Sequence, residues 1–344
     1  MANARTNFNP GKAFFLSLTL CLSLDVIADY QQNNKALLAG NVMAVAYLGF
    51  REGQHPDRGK GAVNPSEVEI REDLDILAAQ GFRLIRLYDS GENSALVLRL
   101  IEKHNLPIKV VLGAWLDAEL SNHEACSWLD KPIMPDVLKA NILKNSEEIE
   151  RVINLARSFE GIVVAVNVGN EALVSWNDHM VSVGSVIGYV RRVKQAVIQP
   201  VTVADNYEWW IQHGAALADE LDFIGVHTYP VWENQPIEDG LDYTVENIER
   251  VHQALPDHPI VILEAGWASI AEEFGIQANE KNQARYFNEL KDWAINTNTT
   301  IFFFEAFDEP WKGNPEKPLG AEKHWGLFNV DRTPKLVMRP IQMN

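Results

Sequence analysis

From Val42 onward the chain alternates between two kinds of segment. Short Val- and Ile-rich runs with little strict alternation are separated by stretches with a helical apolar period. The apolar runs are "VMAVAYL", "FRLIRLY", "PIKVVLG", "GIVVAVNV", "PVTVAD", "LDFIGVHTY", "PIVILEAG" and "TIFFFEAF", beginning at Val42, Phe82, Pro107, Gly161, Pro200, Leu221, Pro259 and Thr300. Runs of this kind are expected of parallel strands covered on both faces. Between them, "PSEVEIREDLDILAAQG" (Pro65 to Gly81) and "NSEEIERVINLARSFEG" (Asn145 to Gly161) carry acidic residues in the first turn and stop at glycine, the usual punctuation of a helix. Eight such runs over about 260 residues predict an α/β fold of one kind, a single (β/α)8 TIM barrel. The rival doubly wound sheet places a Gly-rich phosphate turn after its first strand, whereas "GFREGQHPDRG" holds neither a GxGxxG nor a Walker sequence.

The N-terminus predicts a different fate. Arg5 and Lys12 precede the apolar run Ala13 to Leu24, 12 residues long, followed by "DVIAD". Twelve residues are too few for a membrane-spanning helix, which needs about 20, and suit the apolar core of an export signal. Ala28 offers the small residue such a signal is cut after, with Val26 two positions before it. The expected organisation is therefore a signal peptide over 1–28 and a catalytic barrel over 29–344, exported to the periplasm, cell envelope or exterior, with no membrane-spanning segment left after cleavage. The chain has two cysteines, and removal of the leader with Cys21 leaves Cys126 alone, so no intramolecular disulfide is expected.

Composition adds an exclusion. With 47% apolar and 22% charged residues the chain can bury a large core, and its net charge of −17 speaks against nucleic acid or an anionic membrane as partner.

Barrel enzymes hold their chemistry at the C-terminal ends of the strands. The eight runs end in Tyr47, in Tyr88 and Asp89, in Trp115, in Asn170 and Glu171, in the segment holding Trp209 and Trp210, in His227 and Tyr229, in Glu264 and Trp267, and in Glu305 to Lys312. Glu171 and Glu264, 93 positions apart, can meet only across the barrel. Two carboxylates flanking a bond are the machinery of glycoside hydrolysis: one protonates the leaving oxygen, the other attacks or activates water. Aromatic rings stack on the C–H faces of sugars, and amides and carboxylates bind the hydroxyls. With no HxH or HExxH nearby, His227 is read as a supporting hydrogen-bond partner and no metal is expected; "GSVIG" (Gly184 to Gly188) does not form a GxSxG elbow, which removes the serine hydrolases.

The stretches "VGNE" (Val168 to Glu171) and "EAGWAS" (Glu264 to Ser269) resemble those of glycoside hydrolase family 17, retaining β-glycosidases. "YLGFREGQ", "RLIRLYDSG", "GVHTYP", "FDEPWK" and "HWGLFNVD" extend the resemblance over about residues 40 to 340. It implies a β-1,3-glucanase or β-1,3-glucanosyltransferase acting on laminarin-type glucan without metal or organic cofactor. Glu171 would be the acid/base, Glu264 the nucleophile and Asn170 a partner of the sugar 2-hydroxyl or of the nucleophile. Tyr229 would orient Glu264, while Glu309 and Lys312 would stand behind the sugar on the donor side. "EAGWAS" and "FDEPWK" depart from the plant members and place the chain nearer the bacterial and fungal branch. Among the other strand-end residues, Asp89 is a candidate sugar contact, Trp209 and Trp210 candidate acceptor platforms, and Tyr47 or Trp267 a donor platform. The alternatives are a related retaining enzyme for β-1,4-glucan or mannan, and a non-catalytic glucan binder.

Overall fold

The computed structural model describes residues 30–32, 42–57 and 61–339. The expected signal peptide over 1–28 lies outside them, and Gln31–Asn344 groups as one compact unit. Within it eight parallel strands close a barrel in chain order, β1 Ala44–Ala46, β2 Leu84–Arg86, β3 Lys109–Ala114, β4 Val163–Asn170, β5 Val201–Asn206, β6 Ile224–His227, β7 Ile260–Ala265 and β8 Ile301–Phe303, with β8 pairing back onto β1. Each strand falls on one of the apolar runs, with β3, β4 and β5 continuing one or two residues past the end of theirs. The helices between them are α1 Glu67–Ala79, α2 Glu92–His104, α3 Pro135–Ser158, α4 Val183–Ala196, α5 Tyr207–His213 with the short α6 Ala215–Ala218, α7 Gly240–Ala254 and α8 Glu280–Thr297. Among the described residues no helix is long and apolar enough to cross a membrane.

Local chemistry sets the element ends. Ser66 caps α1 by accepting from the Glu69 amide, and the Glu69 carboxylate returns the bond to Ser66 N, a reciprocal capping box. The helix expected from Asn145 starts at Pro135 instead, with proline in its first turn, where a missing N–H costs nothing. Exposed Val137, Ile142 and Leu143 blur the amphipathic pattern over its first half.

Ala44, Leu84, Val111, Ala165, Ala204, Phe223, Val261, Leu263 and Phe302 form a buried cluster drawn from strands of the whole circle. Each large apolar side chain buried there contributes roughly 1.5–3 kcal/mol. At the lower end of the barrel, Gln32 brackets the first residue of β7: its side-chain amide donates to Ile260 O and accepts from Ile260 N (3.0 Å), and its backbone N–H reaches Thr297 O (2.9 Å). At the upper end the pairing becomes irregular. Register shifts fall between Asn167 and Asn170, between Val226 and His227, and between Ile262 and Ala265, and such bulges re-aim side chains. All three stand beside the residues that the sequence marks as chemical.

Candidate active site

The two glutamates meet, with an imidazole between them. One ligating atom from each of Glu171, His227 and Glu264 lies within 4.8 Å of the others. His227 and Glu264 are register partners on β6 and β7, so their approach is set by the sheet itself. Glu171 follows the end of β4 with φ +48°, a left-handed conformation that costs a non-glycine residue about 1–2 kcal/mol. It is pinned there by its own N–H on Ala204 O (2.9 Å) and by Asn177 Nδ2 on its carbonyl (3.3 Å). Gly169, just before, has φ +86°, which explains the glycine of "VGNE". The glycine of "EAGW" has a different reason: a Cβ on Gly266 would stand 2.3 Å from Phe304 O.

Glu264 is almost enclosed and is held by donors on both oxygens. Arg86 Nη1 (2.7 Å) and Tyr88 OH (2.8 Å) donate to Oε1, and Tyr229 OH (2.5 Å) donates to Oε2. Burial pushes its carboxyl up, but neighbouring His227, then the Arg86 guanidinium, then the Tyr229 and Tyr88 hydroxyls together outweigh that cost and hold it below the usual carboxylate range. Arg86 is itself fully buried and reaches further, to Asn170 Oδ1 (2.5 Å), Leu263 O (3.1 Å) and His227 Nε2 (3.1 Å). A guanidinium N–H can only donate, so Nε2 of His227 accepts, and its Nδ1–H donates to Glu171 Oε1 at 2.9 Å. Glu171 is the more open of the pair, with a quarter of its side chain in solvent, and Asn177 Nδ2 lies 3.3 Å from its Oε2. The set is poorly suited to a cation: Glu264 spends both oxygens on donors, and a guanidinium already occupies the imidazole nitrogen. The arrangement is a buried, hydrogen-bonded carboxylate facing a more accessible one, which suits nucleophile and proton donor.

A second charged cluster stands beside it at the end of β8. Lys312 Nζ bonds Glu305 and lies 3.7 Å from Glu309 Oε2, with Phe304 4.4 Å beneath it. Glu309 is engaged by Trp311 Nε1 (2.7 Å) and Phe50 N (3.3 Å). Burial pushes both carboxyls up, Glu305 furthest; it also opposes the Lys312 ammonium, whose two carboxylate neighbours nevertheless raise it above its ordinary value. Two carboxyls thus share one ammonium.

Asn170 lies in the cluster on Arg86 and Tyr229 on Glu264, and Glu309 with Lys312 lies beside it. The aromatic expectations need correction. Trp210 is fully buried with its indole N–H on Gly225 O (2.8 Å), and Trp267 is 1% exposed with its own on Gln277 O (2.8 Å). Tyr47 is closed off against Phe307 and donates to Asp73 (3.2 Å), and Trp209 packs edge-on to Trp210. These four rings are core: Trp210, Trp267 and Tyr47 bond inside through their polar edges, and Trp209 is buried against Trp210. Asp89 serves the start of α2, accepting from Gly91 N (2.8 Å) and Ser94 Oγ (3.0 Å). Sequence reasoning passed over Arg86 and Asn177, and it named Tyr88 and Glu305 at strand ends without giving either a role. For Arg86 the signal was present, a charge inside the apolar run "FRLIRLY".

The comparisons agree with this geometry. The model of the BtgE/BtgC glycoside hydrolase domain matches residues 55–326. A glucan 1,3-beta-glucosidase of Arthroderma benhamiae is 26% identical over 86% of this chain and 91% of its own. A putative glucan endo-1,3-beta-glucosidase, btgC, of Aspergillus niger is 25% identical over 79% of this chain, which spans only 40% of that protein. Among solved structures, an endo-laminarinase from Formosa Hel1_33_131 superimposes with a TM-score of 0.74 at 26% identity, covering 88% of this chain and 87% of that one. The family 17 β-1,3-glucanosyltransferase of Rhizomucor miehei shares the fold, with a TM-score of 0.67 at 22% identity over 87% of this chain and 97% of that one. The barrel, its paired carboxylates and the match across most of its length lead to one conclusion: the chain belongs to the BtgE/BtgC glycoside hydrolase domain family.

Proposed function

We propose that the protein cleaves or transfers β-1,3-glucan by double displacement, with Glu264 as nucleophile and Glu171 as acid/base. The observation that carries the reading is the closeness of the two carboxyl groups, with ligating atoms within 4.8 Å. Retaining enzymes hold the pair at about 5–5.5 Å, whereas inverting enzymes need about 6.5–9.5 Å to admit a water. The role split follows from the donors. The carboxylate held ionised by Arg86, Tyr88 and Tyr229 is the nucleophile, and the open one exchanges protons with the leaving group. Glu264 attacks the anomeric carbon while Glu171 protonates the departing oxygen. Glu171, now ionised, then takes the proton of the incoming hydroxyl, from water or a second glucan, as the ester to Glu264 breaks.

The substrate class is supported by the names of the Arthroderma and Formosa proteins. The test is reducing-sugar release from laminarin, cellulose and mannan, with the anomer of the first product followed by NMR. Release from laminarin alone, with the β-anomer formed first, is expected. Equal release from cellulose or mannan overturns the substrate class, and an α-anomer formed first overturns the mechanism.

The reading includes export, with residues 29–344 as the delivered enzyme, and rests on the leader pattern of residues 1–28. N-terminal sequencing of the exported protein is expected to begin at Asp29; an intact Met1 terminus on that protein refutes cleavage.

A further inference from the structure

Three tryptophans stand well out in solvent among the described residues, Trp128, Trp176 and Trp232, at 64%, 47% and 42% exposure. Trp232 already packs edge-on against Phe274 at 4.6 Å, and Trp128 lies in the loop of residues 115–134. Trp176 differs from both in how its backbone is held. Asn122, from the loop between β3 and α3, donates its side-chain amide to Ser175 O (2.6 Å) and to Asn177 O (2.7 Å), the carbonyls on either side of Trp176. Asn177 in turn donates to the carbonyl and to Oε2 of Glu171, at 3.3 Å each. Two loops are thus tied together around an indole that faces water, one residue from the amide that holds the accessible carboxylate. Ordering a loop costs about 1–2 kcal/mol of conformational entropy per residue, and an exposed aromatic gains nothing from it unless a ligand covers the ring.

We propose that Trp176 is the platform for the sugar on the leaving-group side of the cleaved bond, and that Asn122 and Asn177 keep that platform in register with Glu171. The inference rests on the reading of Glu171 as acid/base. A group that protonates the leaving oxygen stands on the leaving-group side, and residues next to it meet that sugar first. The same position receives the acceptor in the second step, when Glu171 removes a proton from the incoming hydroxyl. A flat apolar face beside the base favours a second glucan over water, since water has nothing to stack. The sugar on this side is therefore bound by its C–H face against an indole.

The experiment compares the full chain with Trp176→Ala, Trp176→Phe and Asn122→Ala on two substrates. Laminaripentaose extends past the cleaved bond; the β-fluoride of laminaribiose carries a leaving atom that touches nothing beyond it. Trp176→Ala is expected to lower kcat/KM on the pentaose about tenfold more than on the fluoride, and to reduce products longer than the substrate relative to hydrolysis. Trp176→Phe restores most of the difference, and Asn122→Ala gives a smaller loss with the same substrate dependence. Equal losses on both substrates, or no loss on the pentaose, overturn the platform. A wild-type protein that turns over the fluoride but not the pentaose, at any concentration, also refutes it, because the leaving-group side then binds no sugar. Failure of the parent reading looks different: the wild type turns over neither substrate, and both proposals fall.

Discussion

Replacing Glu264 with alanine is expected to lower kcat/KM on laminarin by at least about 10⁴-fold, the scale of losing the nucleophile of a covalent mechanism. The products then tell the two carboxylates apart. In Glu264→Ala the attacking face of the sugar is vacant, so added azide enters from that side and forms the α-glycosyl azide while Glu171 still protonates the leaving group. In Glu171→Ala the covalent intermediate still forms from an activated substrate, and azide displaces Glu264 from the opposite face to give the β-azide. Glu264→Gln, which keeps the shape of the side chain, separates loss of chemistry from loss of fold when its far-UV circular dichroism and Tm are read beside activity. A Glu264→Ala protein with wild-type turnover, or azide products of the reverse stereochemistry, removes the assignment.

The second large effect is expected at Arg86. Among the described residues this fully buried guanidinium is the one permanent positive charge in direct contact with Glu264, and it also fixes Asn170 and His227. Arg86→Met leaves an almost enclosed carboxylate without its counter-charge, a change that costs about 3–5 kcal/mol. The sign with pH follows from the direction of the Glu264 shift. A carboxyl held low in the folded protein stabilises it above the unfolded value of about 4.3, and that stabilisation is lost as pH falls through the folded value. Arg86→Met removes one of the groups that hold the carboxyl down, so it moves up. The stability deficit measured by urea unfolding is therefore largest near neutral pH and shrinks on acidification, as a proton replaces the missing charge. The acid limb of kcat/KM, which reports the free enzyme, moves to higher pH in step. Tyr229→Phe, which removes one neutral donor, moves the same limb in the same direction by less. An Arg86→Met protein with an unmoved acid limb refutes this account of the nucleophile.

Glu171 and Glu264 were legible because each interrupts an apolar run, and a charge at the end of a buried strand needs a physical reason. The barrel was legible for the same cause, since parallel strands covered on both faces leave continuous apolar stretches that few other folds produce. Arg86 gives the same signal two residues before Tyr88. Its meaning depends on which face of β2 turns inward, and that is set by closure of the barrel. The aromatic residues failed in the other direction. A tryptophan at a strand end reads equally as sugar platform or as core; Trp210 and Trp267 find acceptors for their indole N–H groups on the Gly225 and Gln277 backbone carbonyls, and a carbonyl acceptor leaves no mark in the sequence. Asn122 and Asn177 could not be paired from sequence at all, because their link runs between two loops through backbone carbonyls.

The bracket that Gln32 makes around Ile260 bears on how the enzyme can be mounted. Ile260 begins β7 and Glu264 lies near its other end, so the described N-terminal segment is fastened to the floor of the barrel while the cleft opens at the mouth. A support, a fused domain or a cell-surface tether joined through that segment grips the molecule by its base. The cleft then points away from the attachment, toward the glucan.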